Sequence, residues 1–400
     1  MGLSYSGIYL DNASTTSVLP NALERFNEVA KLDGNASSIH SHGRLMRKIV
    51  EESREQIAEI VGAKATEIIF TSSGTESDNF AIKGLYWHNS KLGKKTIITS
   101  SFEHHAVMDP AIWLQKSDEA KYLQVKINSD GYIDLRDLAN MIQTQKDNIA
   151  LISIIMANNE IGTIQPIAQV CEISDDIPVH TDCVQALGKL KIDFHKLGVT
   201  AASFTAHKVG GVPGVAAIYL KQETPITPLF HGGGQERELR SGTFNVPGIA
   251  AFAVALRETE KKREQINNQI FQLRERLFAG IKNIPGINFI GADDLTGSGN
   301  QNQHLPNILN CTFSNLESEA LLMVLDNENL SLSAGSACTA GVFRPSHVLL
   351  SMGQSEELAS ASLRISLGNS TTQEQIDKLI QTLPKAVERA RAAYASRYQK

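Results

Sequence analysis

The chain has 400 residues, 42% hydrophobic and 20% charged, with a formal net charge of −5. That length exceeds one ordinary core and suits two domains. The balance is that of a soluble globular protein, with no electrostatic footprint for nucleic acid or an anionic membrane.

Four cysteines, Cys171, Cys183, Cys311 and Cys338, form no CxxC pair, which argues against a disulfide framework or zinc ribbon and fits a reducing cytosol. No apolar run approaches the ~20 residues of a membrane span. The N-terminus MGLSYSGIYLDNAS has neither the basic region nor the apolar stretch of a signal peptide. MGLSYS fits the loose myristoylation pattern, but YSGIYL reads as the start of an ordered strand.

Helical character runs from Pro20 to Leu32, followed by a polar loop, DGNASSIHSHG (Asp33 to Gly43), and an amphipathic helix over Arg44 to Val61. Glu67 to Thr71 predicts a strand, and a helix opens at Thr75 or Glu76. Strands are then expected at Thr96 to Ser100, Tyr122 to Val125, Ile149 to Met156, Ile177 to Asp182, Ala201 to Thr205 and Gly214 to Leu220. Runs of β-branched residues without alternation mean strands buried on both faces, hence a largely parallel sheet covered by helices. From Val246 one long helical stretch reaches Ile281 and connects to a smaller α+β part. There INFIG, NILNCTF and SLRISLG read as strands, Glu317 to Asn327 and Gln373 to Tyr398 as helices, and Gly291 to His304 as a flexible surface loop.

Chemistry concentrates where strands end. In SFTAHKVGGVPG (Ser203 to Gly214), Lys208 follows a strand and precedes a glycine-rich turn, a place from which an amine can form a Schiff base with a carbonyl cofactor such as pyridoxal phosphate. Ser72-Ser73-Gly74-Thr75 joins a strand to a helix N-terminus, a natural phosphate cradle and equally an ordinary N-cap. Asp182 ends a strand as HTDCVQ; a carboxylate there can keep a pyridine nitrogen protonated, though alone it also reads as a helix cap. Gln185 can hydrogen-bond the cofactor's phenolic oxygen. His104, in SFEHHAV, stands at the same edge and can stack on a ring and shuttle protons, but two adjacent histidines leave the register open.

HGGGQERELRSGT (His231 to Thr243) evokes an esterase oxyanion hole, yet no GxSxG elbow accompanies it, so a serine hydrolase is not supported. Cys311 and Cys171 suit the ordinary buried, apolar reading. Cys338, in SAGSACTAG, has no apolar neighbours to bury it and is a candidate nucleophile.

With these motifs in order, the chain resembles the cysteine desulfurases of the NifS/IscS kind, within the class V aminotransferase family of pyridoxal-phosphate enzymes. The similarity runs from YLDNASTT (Tyr9 to Thr16) to SLRISLGNSTT (Ser362 to Thr372) and includes GNASSIHSHG, FTSSGTESDN, NNEIG and AHKVGGVPG. The long cysteine loop, SAGSACTAG here, is similar to that of the subgroup with the SGSACT signature.

The resemblance implies a seven-stranded, mainly parallel sheet sandwiched by helices, plus a smaller α+β domain. It implies an N-terminal arm (1–20) packing with the small domain, a large cofactor-binding domain (21–258) and a small domain (259–400) carrying the catalytic cysteine loop. It also implies pyridoxal 5'-phosphate as cofactor, L-cysteine as substrate and a cytoplasmic homodimer that passes sulfur to an acceptor protein.

By motif, Lys208 resembles the Schiff-base lysine, Asp182 the partner of the pyridine nitrogen and Cys338 the sulfur acceptor. Gln185 and His104 resemble the groups at the phenolic oxygen and over the ring. Gly74, Thr75, Thr205, His207 and Thr243 match phosphate contacts, the last reaching across a dimer interface. Asn159 and Arg364 match the substrate-carboxylate site, with Asn35 nearby.

Two features depart from the family. Ala36 stands where proline is usual, which is expected to loosen that loop. The chain also ends soon after ERARAAYASRYQK, without the extension that docks an iron–sulfur scaffold. The alternatives are a selenocysteine lyase or another class V aminotransferase with Cys338 idle, and a sulfur-relay protein with residual catalysis.

Overall fold

A computed structural model describes residues 7–291, 303–335 and 344–398. The strands in chain order are β1 (Ile8–Tyr9), β2 (Ile68–Thr71), β3 (Thr96–Ser100), β4 (Lys121–Val125), β5 (Ile149–Ser153) and β6 (Val179–Asp182). They continue with β7 (Ala201–Thr205), β8 (Ala216–Leu220), β9 (Ile287–Ile290), β10 (Ile308–Phe313), β11 (Leu330–Ser331) and β12 (Ser362–Ser366).

Seven of them form one sheet in the order β2-β8-β7-β6-β5-β3-β4. Every neighbour pair from β7 to β4 is parallel, whereas β8 runs antiparallel to both β7 and β2. Because β8 reverses twice, β2 points the same way as β7. The carboxyl ends of β2, β3, β5, β6 and β7 therefore open on one edge, where open α/β sheets bind ligands.

Burial explains why these residues are strands. Each residue of β2, β3, β5, β6, β7 and β8 is buried, as expected of strands covered on both faces. The exception is β4, an edge strand in which only Val125 is fully buried. The helices Gly74–Ser90 and His105–Ser117 pack on one face of the sheet around Phe80, Leu85 and Leu114. On the other face Ser41–Ile60 and the start of the long helix pack around Ile57, Phe204 and Phe252.

That long helix spans Val246–Ile281, as the sequence indicates, and its far end joins a separate hydrophobic cluster. Leu273, Leu277 and Ile281 meet Leu363, Ile365 and Leu383 over the antiparallel sheet β9-β10-β12. The N-terminal arm is stitched to this second cluster, since β1 pairs parallel with β11 and Asp11 bridges Ser366.

The expected surface loop Gly291 to His304 needs correction at its end. Residues 292–302 lie outside the described residues, but His304 is buried, its ring held between the Arg274 guanidinium at 3.1 Å and the carbonyl of Ile161. A buried imidazole with partners for both nitrogens is a core contact, which a polar local sequence conceals.

The segment Gln235–Arg240 is held by a buried ion pair. Glu236 accepts from Arg54 at 2.7 and 2.8 Å and from the backbone N–H of Phe70 at 3.0 Å, with both side chains almost fully buried. Glu236, Arg237 and Glu238 all adopt positive φ, so three left-handed residues in succession depend on this anchor. Glu236→Gln leaves buried Arg54 only the part-exposed Glu51 carboxylate at 3.0 Å as counter-charge, and we expect a loss of about 3 kcal/mol, the lower end for a broken buried pair, read as a lower urea midpoint.

Candidate active site

The crevice is built from the residues that end the parallel strands. At the end of β7 the chain makes one 3-10 turn, Ala206–Lys208, and turns away through Gly210 at φ 81°. The Lys208 amine donates to the carbonyls of Ala13 and Ser14 in the N-terminal arm. Burial first, then the positive charges of Arg364 and Lys189, lower its pKa to about 7. A neutral amine, the nucleophilic form, is thus available near neutral pH.

Asp182 closes β6 and is buried, with Oδ1 accepting from the Val184 N–H at 2.8 Å. Burial raises its pKa to about 6, against the lowering effects of the Val184 N–H and of Lys208. His104 caps the helix His105–Ser117, its Nδ1 accepting from the Ala106 N–H at 3.1 Å, which settles the register in favour of the first histidine as the cap. Burial, Lys208, His105 and His347 lower its pKa to about 4, so it is neutral at physiological pH. Ligating atoms of His104, Asp182 and Asp78 lie within 4.8 Å of one another.

Sequence reasoning passed over what stands beneath Asp182. Asp78, on the first turns of Gly74–Ser90, is 1% exposed, and burial together with Asp182 raises its pKa well above the usual carboxylate range. The buried His180 ring links Ser153 at 2.8 Å to Ser203 at 2.9 Å, and burial holds its pKa near 3. Asp78 falls four residues into a helix that reads as amphipathic filler, and only strand packing brings it under β6.

The phosphate-type turn forms as its composition suggests. Ser73 caps the helix by accepting from the Glu76 N–H at 3.1 Å, and the helix starts at Gly74. A Cβ on Gly74 would meet the Val184 side chain at 3.0 Å and Thr205 at 4.0 Å, so the turn passes close to both. The Thr205 hydroxyl donates to the Val215 carbonyl at 3.3 Å, and Thr75 is exposed. Glu76 and Arg240, absent from the sequence-based set, pair at 2.7 Å beside the turn, where Glu76 also accepts from the Ser72 N–H at 2.9 Å.

Gln185 Nε2 donates to the Ala13 carbonyl at 2.8 Å, while its buried Oε1 has no partner among the described residues. His207 Nδ1 faces the Thr15 hydroxyl at 3.1 Å, and burial, Lys208 and Lys189 lower its pKa to about 4.

Across the crevice stands Arg364, on β12. Its guanidinium donates to Asp11 at 2.8 Å, to the Ser14 hydroxyl at 2.9 Å and to the Asn159 carbonyl at 3.0 Å, leaving its buried Nε without a partner among the described residues. Asp11 and Ser14 were not singled out from sequence, although the motif YLDNASTT carries both. Asp11 also favours the protonated form of Lys208. We expect Asp11→Asn to lower the Lys208 pKa further and move the acid limb of the pH–rate profile to lower pH; an upward shift would exclude this electrostatic role.

Some expected residues are not brought to this crevice. Asn35 is exposed and uses its side chain locally, accepting from the Ser37 N–H at 2.9 Å, while Ala36 packs into the core. Thr243 is exposed on its own chain's surface. Cys338 lies outside the described residues. The chain on either side of it does reach the crevice: Ser333 exchanges backbone hydrogen bonds with Arg364, the Ser346 hydroxyl donates to Glu160, and His347 donates to the Glu103 carbonyl at 2.9 Å.

These residues fit pyridoxal phosphate. The turn that closely approaches Thr205, the unused buried Gln185 Oε1, the carboxylate at the β6 end and an amine with a pKa near neutrality supply the contacts such a group requires.

Comparison with known proteins agrees with this architecture. Residues 8–379 match the family described as Aminotransferase class-V. The chain is 42% identical over 393 residues to an IscS-like cysteine desulfurase of Mycobacterium tuberculosis, covering 96% of this chain and 97% of that protein. It is 40% identical to the cysteine desulfurase IscS of Methanosarcina thermophila, covering 96% and 93%. Among solved structures, a NifS-like protein superposes with a TM-score of 0.87 at 34% identity over 96% of this chain and 99% of that one. SspA in complex with cysteine superposes with a TM-score of 0.77 at 32% identity, covering 91% of this chain and all of that one. The chain belongs to the class-V aminotransferase family, among its IscS- and NifS-like cysteine desulfurases.

Proposed function

We propose that the protein is a pyridoxal-phosphate-dependent cysteine desulfurase, which converts L-cysteine to L-alanine and holds the released sulfur as a persulfide on Cys338. The observation that carries this reading is the placement of Lys208 and Asp182 at one sheet edge with Arg364 of the second sheet across the crevice, the Lys208 pKa being lowered to about 7. When bound, pyridoxal phosphate supplies an electron sink next to the α-carbon of the substrate.

The chain's own residues do the rest. Asp182 presents a carboxylate to the pyridine nitrogen, Gln185 the phenolic oxygen's partner and His104 a neutral ring over the face. Gly74, Thr75, Thr205 and His207 take the phosphate, joined by Thr243 of a second copy. Arg364 and Asn159 receive the substrate carboxylate, with Asp11 giving up part of its hold on the guanidinium. Neutral Lys208 removes the α-proton and carries it.

The Cys338 thiolate then attacks the substrate sulfur. A sulfur–sulfur bond forms, the carbon–sulfur bond breaks with its electron pair staying on carbon, and protonation there gives alanine. The thiol gives its proton to solvent as the thiolate forms, and His104, neutral and with Nδ1 accepting from Ala106, lines its approach to the substrate.

A homodimer accounts for Ile39, 90% exposed, and Phe230, 48% exposed, two large apolar side chains left on the surface. A sulfur-acceptor protein, as an iron–sulfur scaffold or sulfur carrier, completes the cycle. Among the described residues no helix is long and apolar enough to cross a membrane, and Cys171, Cys183 and Cys311 are free thiols, in keeping with a reducing cytosol.

The test is to supply L-cysteine and assay alanine and sulfide. Cys338→Ser is expected to retain cofactor and substrate binding yet lose sulfide release by about 10³-fold, comparable to the loss of a catalytic nucleophile. Wild-type protein exposed briefly to cysteine gains sulfur mass on the Cys338 peptide. Persulfide found only on Cys183 or Cys311, or full turnover in Cys338→Ser, rejects the mechanism.

A further inference from the structure

Beside Lys208, the two hydrophobic clusters leave a cavity of 280 Å³ bounded by the N-terminal arm, the long helix and the exit of β12. We propose that this cavity is a second small-molecule site, which takes a short, branched carboxylic acid carrying an α-hydroxyl or α-amino group.

The lining sets the chemistry. Lys189 offers an ammonium whose only hydrogen bond among the described residues goes to the Gln185 carbonyl at 2.9 Å, leaving donors free for an anion. Burial lowers its pKa to about 8, so it keeps its charge at neutral pH, and among the described residues it forms no ion pair with a carboxylate.

On the same cavity, Asn307 is 2% exposed and its Oδ1 has no partner among the described residues. An unsatisfied buried acceptor calls for a donor. Leu19, Leu187, Ile266 and Ile270 supply apolar wall for a short aliphatic chain. A carboxylate for Lys189, an adjacent O–H or N–H for Asn307 and a small branched tail match all three features.

Occupancy has a consequence for the neighbouring amine. The positive charge of Lys189 is one cause of the low Lys208 pKa, so an anion on Lys189 offsets it and favours protonated Lys208. That coupling rests on the cofactor role proposed for Lys208; binding in the cavity does not.

The experiment titrates the holoprotein calorimetrically with L-2-hydroxyisovalerate, whose hydroxyl cannot condense with a carbonyl cofactor. We expect saturable binding, one per chain, weakened at least about tenfold by Lys189→Met and unchanged by Arg364→Lys. Isovalerate, the same acid without the donor, binds wild-type protein about fivefold to tenfold more weakly, a comparison that needs no variant to fold. Absence of saturable binding, equal binding of the two acids, or loss in Arg364→Lys with retention in Lys189→Met overturns the proposal. Failure of pyridoxal phosphate to bind would instead reject the desulfurase reading and leave the cavity binding intact.

Discussion

Lys208→Ala is expected to abolish cysteine desulfuration, with a loss of at least about 10⁴-fold, because one side chain supplies both the covalent anchor and the base that moves the α-proton. The variant should take up pyridoxal phosphate reversibly, and borohydride should no longer fix the group to the peptide that contains residue 208. In wild-type protein the pH dependence follows from the lowered pKa of about 7. A lysine must lose its proton to act, so activity rises with pH through about 7, some three units below an ordinary lysine. Burial, Arg364 and Lys189 together cause that shift, so Lys189→Met should move the limb to higher pH while leaving cofactor attachment intact. A borohydride label on another lysine, or a limb near the ordinary lysine value, would remove Lys208 from the mechanism.

The fold was readable wherever local pattern and burial coincide. The uninterrupted apolar runs at Thr96–Ser100 and Ala201–Thr205 mark strands covered on both faces, and both occur with those bounds. The same logic gave no warning that Lys121–Val125 is an edge strand, since edge position depends on the order in which strands assemble. Nor did it show that β8 runs against its neighbours, because a short apolar run carries no direction. The bounds of Val246–Ile281 were legible because Pro247 and Asn245 mark its start.

In the site, residues at strand ends were legible because position along a parallel strand selects the ligand edge. Lys208, Asp182 and His104 are of this kind. Asp11 and Ser14 were not, because their roles depend on Arg364, some 350 residues away in the chain, reaching back to the arm. Asp78 and His180 were missed for a different reason. Each looks like an isolated polar residue in an apolar element; His180 shares the Asp182 face by the two-residue alternation of β6, whereas only the packing of the helix Gly74–Ser90 on β6 and β7 brings Asp78 there.

Asp182→Asn separates function from stability at this centre. The carboxylate is buried, and burial raises its pKa to about 6, against an ordinary aspartate near 3.8. Because the folded-state value is the higher one, the folded protein holds this proton more tightly than the unfolded chain. The associated stability is complete below about pH 4 and is lost as pH rises through about 6. At pH 7–8 the cofactor-free protein therefore carries a buried charge that costs on the order of 2 kcal/mol. Asparagine removes that charge while keeping shape, so the cofactor-free variant should unfold at a higher urea concentration than wild type at pH 8, and the two should converge near pH 4. Function moves the other way. Without the carboxylate the pyridine nitrogen loses the anion that favours its protonated state, and α-proton removal should slow by about 10²–10⁴-fold. The added stability that pyridoxal phosphate confers on the wild type should shrink in the variant, since part of it is the pairing of Asp182 with a cation. Unchanged turnover in Asp182→Asn, or a cofactor-free variant no more stable than wild type at pH 8, would show that this carboxylate is neither strained by burial nor matched to the ring nitrogen.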